Sequence, residues 1–259
     1  MTKPADLLAY LFEAQQRSPA MLLSGELLQW MDSSTRYTAF VETYRDKIRK
    51  KIRVTRDSES TLDLRSELEV ARALLADRHM VVAYEPYSSE KRRGADFAVT
   101  YRANLVFNIE VARIRAEQST ADEAQLARKE ERVVRILLDK LGQMQPGMAN
   151  LLVIHTRPEV AQIIDLGRLM QEIKIKAEGK DPSFYALSRY NSPTAFYKDF
   201  AHLSGILLWA AVPASAPAKP GSPLWVNKQA RPPLPGKVLR LVSLASQTPP
   251  LPSEPGLVR

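Results

Sequence analysis

The amino-acid sequence predicts an α/β protein with a mixed central sheet flanked by helices. Residues 95–101 and 105–112 alternate large apolar and small or polar side chains, which is typical of half-buried strands. Residues 149–155 form a continuous apolar run that suits a fully buried strand. Helix-like segments precede, separate and follow these strands, and strands that alternate with helices along the chain favour a sheet covered by helices.

Residues 1–56 are predicted to form a helical N-terminal extension whose second helix ends in a basic cluster. Its buried stripe is expected to contain Phe40, Tyr44, Ile48 and Ile52, which recur every four residues. The cations of the helix then crowd the remaining surface, where they could grip the phosphates of a nucleic acid or form an ordinary solvated face. The proposed phosphate contacts are Lys47, Lys50, Lys51 and Arg53.

The next helix, over residues 61–75, is predicted to carry one carboxylate on its packed face. Its apolar positions are Leu64, Leu68, Ala71, Leu74 and Leu75. With 3.6 residues per turn, Glu67 shares that face and Glu69 points away from it. Glu67 is therefore expected to face inward.

The two alternating strands each carry one further carboxylate. Asp96 and Glu110 lie on the small-residue side of their strands. A hairpin through the short turn at residues 101–104 would place both on one sheet face, with Glu67 on a helix packed against it. We expect the carboxylates of Asp96 and Glu110 to lie within coordination distance of a common point.

The predicted core spans residues 57–212, and its second half continues the alternation of helix and strand. Thr120 and Glu123 have the spacing of a capping box at the start of a helix. Its apolar face is expected to contain Val133, Val134, Leu137, Leu138 and Leu141. The strand at 149–155 follows, then a helix from Pro158 to about residue 176, and a last strand at 203–211.

The remaining stretch, residues 213–259, is a Pro-rich extension in which 11 of 47 residues are proline. This composition predicts an extended or disordered tail without a long regular helix. Two apolar segments, at 224–227 and 238–242, are expected to dock on the core. A second interpretation is that its proline runs are ligands for aromatic grooves.

Three carboxylates gathered in a partly buried site repel one another unless a cation is present. A hard divalent cation supplies that charge, activates water and stabilises a phosphoryl transition state. The sequence thus predicts a Mg²⁺ or Mn²⁺ site that includes Asp96 and Glu110, with Glu67 holding the metal or its water.

At these residues the chain resembles the PD-(D/E)XK, or restriction-endonuclease-like, nuclease superfamily. The resemblance is carried by the helical Glu67, by Gly94-Ala95-Asp96 and by Glu110-Val111-Ala112. It implies an αβββαβ core, metal ligation by Asp96, Glu110 and the Ala112 carbonyl, and catalytic roles for Glu67, Asp96 and Glu110.

The chain departs from the family pattern at one position, because Ala112 occupies the place of the motif lysine that helps activate water. Alternative cation donors are Lys91, Arg92 and Arg93, at the entry to the aspartate strand, which are also proposed nucleic-acid contacts. Arg113 and Arg115 have the wrong strand parity unless the strand bulges. The expected function is metal-dependent hydrolysis of DNA phosphodiesters. The alternative is an inactive nuclease-fold module that binds nucleic acid or a protein partner.

Composition agrees with an intracellular, cytoplasmic protein that has no membrane partner. The 259 residues contain no cysteine, which excludes disulfides and thiolate metal sites. The net charge of +8 favours a polyanionic partner, DNA in particular, while a protein partner or a homo-oligomer remains open. His79, His155 and His202 are too scattered for a histidine metal site, and no phosphate-binding or serine-hydrolase motif is present.

Overall fold

The protein contains one six-stranded mixed sheet in the order β1-β2-β3-β4-β5-β6. The computed structural model of the chain describes residues 2–13, 18–87, 94–115, 123–210 and 224–245. Strands β1, β2 and β3 are antiparallel neighbours, β3, β4 and β5 run parallel, and β6 returns antiparallel to β5. The strands are β1 Met80–Tyr84, β2 Phe97–Tyr101, β3 Leu105–Arg113, β4 Ala149–Thr156, β5 Leu203–Ala210 and β6 Leu224–Val226.

Helices cover both faces of this sheet in the described part of the chain, and the predicted mixed α/β architecture is confirmed. Before the sheet lie α1 Pro4–Phe12, a 3-10 helix Pro19–Leu23, α2 Ser24–Ser33, α3 Thr35–Thr43, α4 Arg45–Val54 and α5 Ser58–Leu75. Later come α6 Glu123–Leu141, α7 Pro158–Ile163, α8 Leu166–Glu178, α9 Pro182–Leu187, α10 Pro193–Phe200 and α11 Gly236–Ala245. No helix in these ranges combines the length and apolar composition needed to cross a membrane.

Alternation along the parallel strands creates two hydrophobic cores. Ile109 of β3 and Leu151 of β4 pack into the first core, with α1 to α5 and α11. Leu152 and Ile154 of β4 pack into the second core, with α6, α8 and α10. Because β4 is buried on both faces, its sequence is apolar at almost every position. The N-terminal helices are part of the first core, so they pack against the sheet.

The structure corrects several predicted boundaries. The helix expected from Pro158 to residue 176 is two helices, because the side chain of Asp165 caps α8 through the Arg168 N–H at 3.0 Å. The second N-terminal helix breaks at Tyr44 into α3 and α4. The pattern of apolar residues alone does not predict strand β1.

The Pro-rich extension differs from the prediction in one respect. Its segment 236–245 contains no proline and forms α11, so the expectation of a tail without a long regular helix is wrong there. Val238, Leu239 and Val242 of this helix are buried in the first core. Segment 224–226 docks on the sheet as edge strand β6. Both apolar segments therefore pack on the domain, as expected.

Candidate functional site

The structure brings Glu67, Asp96 and Glu110 to one cavity of about 550 Å³. Glu67 lies on α5, Asp96 directly precedes β2, and Glu110 lies within β3. Phe97 pairs with Ile109 across the two strands. Continuing this antiparallel register by one residue places Asp96 opposite Glu110 on the other sheet face. The predicted hairpin is thus the element that positions two of the three carboxylates.

Asp96 is the least compensated of the three carboxylates. Its Oδ2 accepts a hydrogen bond from the backbone N–H of Val111 at 2.8 Å. Burial of the carboxylate, followed by the negative charges of Glu67 and Glu110, raises the pKa of Asp96 well above its usual range. This carboxyl group therefore holds a proton more tightly than an ordinary aspartate does.

Glu110 is buried and has a lysine partner that the sequence analysis missed. The ammonium of Lys140, on α6, donates to Glu110 Oε1 at 2.5 Å. Glu110 Oε2 is buried and has no hydrogen-bond partner among the described residues. Burial raises the pKa of Glu110, although the charge of Lys140 opposes that effect. One oxygen of this carboxylate is therefore held, and the other is unsatisfied.

Glu67 is held by a lysine and a tyrosine. Lys51 Nζ lies 2.5 Å from Glu67 Oε2 and 3.0 Å from Glu85 Oε1. The Tyr84 hydroxyl donates to the same Glu67 oxygen at 2.7 Å. Burial disfavours the charge on Lys51, but Glu67 and Asp96 outweigh it and raise the pKa of this lysine. Helix α4 thus contributes a permanent cation to the cavity.

The prediction that Glu69 points away from the packed face of its helix is wrong. The Glu69 side chain is 5% exposed and accepts from Arg65 Nη1 at 2.8 Å, whereas the Glu67 side chain is 16% exposed. Arg65 also binds Glu26 of α2. Helix α5 lies between the sheet and the N-terminal helices, so it is buried on more than one side and a single apolar stripe does not describe it.

Ala112 lines a neighbouring cavity of about 280 Å³ together with Glu67, Asp96 and Lys140. Arg113 and Arg115 line it as well, although strand parity argued against them. Arg113 pairs with Glu59 and Asp63, and Arg115 pairs with Asp63. Both guanidinium groups are therefore engaged by acids of α5, while Lys140 is engaged by a carboxylate of the site itself.

The basic cluster of α4 divides into two sets. Lys47 Nζ donates to the carbonyl oxygens of Tyr84 and Glu85 at 3.0 and 2.8 Å, and Lys51 enters the cavity. Lys50 and Arg53 are exposed. Of the four proposed phosphate contacts, only Lys50 and Arg53 lie on open surface where phosphates could reach them. Lys91, Arg92 and Arg93 lie outside the described residues, as does Thr120.

His155 is not a catalytic candidate in this arrangement. Its ring is buried and stacks on Trp209 with 5.6 Å between ring centroids. Burial, with smaller contributions from Arg65 and Arg113, lowers the pKa of His155 to about 3. The ring is neutral across the physiological range, and within the described ranges its Nε2 has no hydrogen-bond partner.

The expectation that the carboxylates of Asp96 and Glu110 lie within coordination distance of a common point stays a prediction. Among the residues that the structure describes, no three aspartate, glutamate or histidine side chains form a group arranged to hold a metal ion. Glu67 and Glu110 are each turned toward a lysine instead. Comparison with protein-family models, curated proteins and solved structures gives no match to this chain. Its function is therefore inferred from the residues of the site.

Proposed function

We propose that the chain is a metal-dependent nuclease-like protein that hydrolyses DNA phosphodiesters at the cavity lined by Glu67, Asp96 and Glu110. The observation that carries this proposal is the meeting of two strand carboxylates and one helix carboxylate in a single cavity, beside Lys140. A metal-dependent phosphodiesterase can use this combination, since acids hold a cation and a nearby ammonium offsets charge on the phosphate.

The charge of the cavity supports a divalent cation. Its lining includes four carboxylates and two ammonium groups, namely Glu67, Glu85, Asp96 and Glu110 against Lys51 and Lys140. Two negative charges remain when all the acids are ionised. Glu110 Oε2 is an acceptor without a hydrogen-bond partner among the described residues, and burial together with the charges of Glu67 and Glu110 raises the pKa of Asp96, so a further positive charge would be accommodated here. The residues present therefore fit Mg²⁺ or Mn²⁺, which oxygen ligands suit.

The order of elements supports membership in the PD-(D/E)XK superfamily. The sequence α5, β1, β2, β3, α6, β4 has the αβββαβ order that the resemblance implies. Its helical glutamate, its aspartate at the start of a strand and its glutamate within the next strand fall on α5, β2 and β3. Fold and site thus point to the same family.

Each residue has a distinct role in the proposed reaction. Asp96, Glu110 and the Ala112 carbonyl would hold the cation, and Glu67 would hold the metal or its water. The bound cation supplies an activated water and stabilises charge on the phosphoryl oxygens. Lys140 stands in for the missing motif lysine, because its ammonium reaches Glu110 from α6 and lines both cavities. Lys50 and Arg53 lie on open surface and are proposed to contact backbone phosphates.

One observation favours the alternative of a non-catalytic nuclease-fold module. Lys51 and Lys140 neutralise two of the carboxylates within the protein, as ion pairs with a purely structural role do. In that case the site would stabilise the fold, and the exposed cations of α4 would serve binding alone.

Nicking of supercoiled plasmid distinguishes the two functions. We expect the wild-type protein to nick DNA with Mg²⁺ or Mn²⁺ and not with EDTA, and Asp96→Asn to remove that activity. Arg78→Gln, an exposed change before β1, is the matched control and should behave as wild type. Nicking that survives in Asp96→Asn would sink the assigned site, and no nicking by correctly folded wild type would favour the binding module.

A further inference from the structure

A third cavity, of about 660 Å³, lies between α10 and the loop that follows β6. It shares no lining residue with either cavity at the carboxylates. Its wall includes three cationic side chains and no acidic one: Lys198 from α10, and Lys228 and Arg231 from the loop. We call it the basic cavity.

The three cations of the basic cavity are exposed and have no ion-pair partner in the part of the chain that the structure describes. The acid beside Lys198 and the acid bonded to Tyr197 are already engaged. Asp199 accepts from Arg189 at 2.6 Å, and Glu178 accepts from the Tyr197 hydroxyl at 2.6 Å. Within the described residues, no acid therefore neutralises the positive charge of this wall.

The loop that carries two of these cations is fixed to the end of α10. The buried Asn227 amide donates to the carbonyl oxygens of Phe200 and Leu203 at 3.0 and 2.8 Å. The backbone N–H of Arg231 donates to the Ala201 carbonyl at 2.7 Å. These bonds fix the loop backbone from which the two cationic side chains extend before any ligand arrives. Less conformational entropy is therefore lost on binding.

We propose that the basic cavity binds backbone phosphates of a nucleic acid, as a second contact away from the carboxylates. This inference rests on the proposed function, because the polymer bound here is the one that would be hydrolysed there. Three cations spread over two elements suit successive phosphates of a polymer better than one small anion, which several donors usually surround closely. The net charge of +8 acts in the same direction.

The test measures the affinity of the full chain for fluorescein-labelled duplex DNA by anisotropy, in EDTA, between about 50 and 200 mM salt. The test variant combines Lys198→Gln, Lys228→Gln and Arg231→Gln, which removes charge from exposed positions without reversing it. The control is Arg78→Gln, which lies just before β1, the edge strand opposite β6. We expect the triple variant to bind about tenfold or more weakly, with a salt slope smaller by about 2 to 3. The control should match wild type.

Parallel measurements separate this inference from the proposed function. If wild type nicks DNA and the triple variant binds duplex unchanged, the basic cavity is not a phosphate contact and the proposed hydrolysis stands. If wild type does not nick but the triple variant still binds more weakly, the inference stands and the hydrolysis fails. Saturable binding of inorganic phosphate that the triple variant loses, without any change in duplex binding, would assign the cavity to a small phosphorylated ligand and overturn the inference.

Discussion

Replacing Lys140 by methionine should destabilise the fold while leaving its packing volume nearly intact. The substitution removes the ammonium that lies 2.5 Å from Glu110 Oε1. The Glu110 side chain is 7% exposed and that of Lys140 is 23% exposed. A buried carboxylate would then lose its one ion-pair partner among the described residues, and its second oxygen is already unsatisfied there.

The size of the effect follows from this burial. Breaking a fully buried ion pair from one side costs about 3–5 kcal/mol, whereas an exposed pair contributes about 0–1 kcal/mol. Since about a quarter of Lys140 is exposed, we expect a loss of about 2 kcal/mol in the free energy of unfolding. The loss should be smaller at low pH, where Glu110 is protonated and no charge remains to be stranded.

A double-mutant cycle measures the coupling energy between Lys140 and Glu110. Urea denaturation in EDTA is carried out on wild type, Lys140→Met, Glu110→Gln and the double variant. The double variant should be more stable than Lys140→Met, because no charge is left unpaired. The control is Arg135→Met on the same helix, which breaks an exposed pair with Glu131 and should cost under about 0.5 kcal/mol. A coupling energy near zero would refute the assigned pair.

Three further predictions concern the same region. Burial raises the pKa values of Asp96 and Glu110, so their contribution to stability is present at low pH and is lost as pH rises from about 4 through the folded values. Stabilisation by Mn²⁺ should therefore be larger at about pH 8 than at about pH 5 in thermal melts, and an equal shift in Asp96→Asn would contradict this. Ala112→Lys should restore nicking to Lys140→Met, because both side chains line one cavity; a double variant as inactive as Lys140→Met would count against the role of Lys140. Lys47→Gln should lower the urea midpoint because its ammonium binds two backbone carbonyls, while Lys50→Gln should leave it unchanged and weaken only DNA binding; equal effects of the two on stability would show that the division of α4 is wrong.

Local periodicity predicted most of the sheet and its two strand carboxylates. In a strand, side chains alternate with a period of two, so the face of Asp96 and of Glu110 follows from the sequence once the hairpin is assumed. The apolar run at 149–155 likewise matches β4 Ala149–Thr156, because a strand buried on both faces has few polar positions. These features depend on neighbours a few residues apart.

The lysines of the site could not be identified in this way, because they come from distant elements. Lys140 lies 30 residues from Glu110 in sequence, and Lys51 lies 16 residues from Glu67. The one available signal was that each lysine follows a buried helical residue by three positions, Leu137 and Ile48, so each borders an apolar stripe. The burial of Glu69 was missed for the same reason, since its surroundings include α2.

The distribution of partners identifies the acid on which the site depends most. Lys140 holds Glu110 through one oxygen, and Lys51 with Tyr84 holds Glu67 through one oxygen. Among the described residues Asp96 accepts a hydrogen bond from a backbone N–H and forms no ion pair, and the negative charges of Glu67 and Glu110 both act on it, opposed by that of Lys51. In the described part of the chain Asp96 is thus held without an ion pair, whereas Glu67 and Glu110 each pair with a lysine. If the proposed cation binds in this cavity, we expect Asp96 to contribute most to its affinity, because the other two acids already share their charge with lysines.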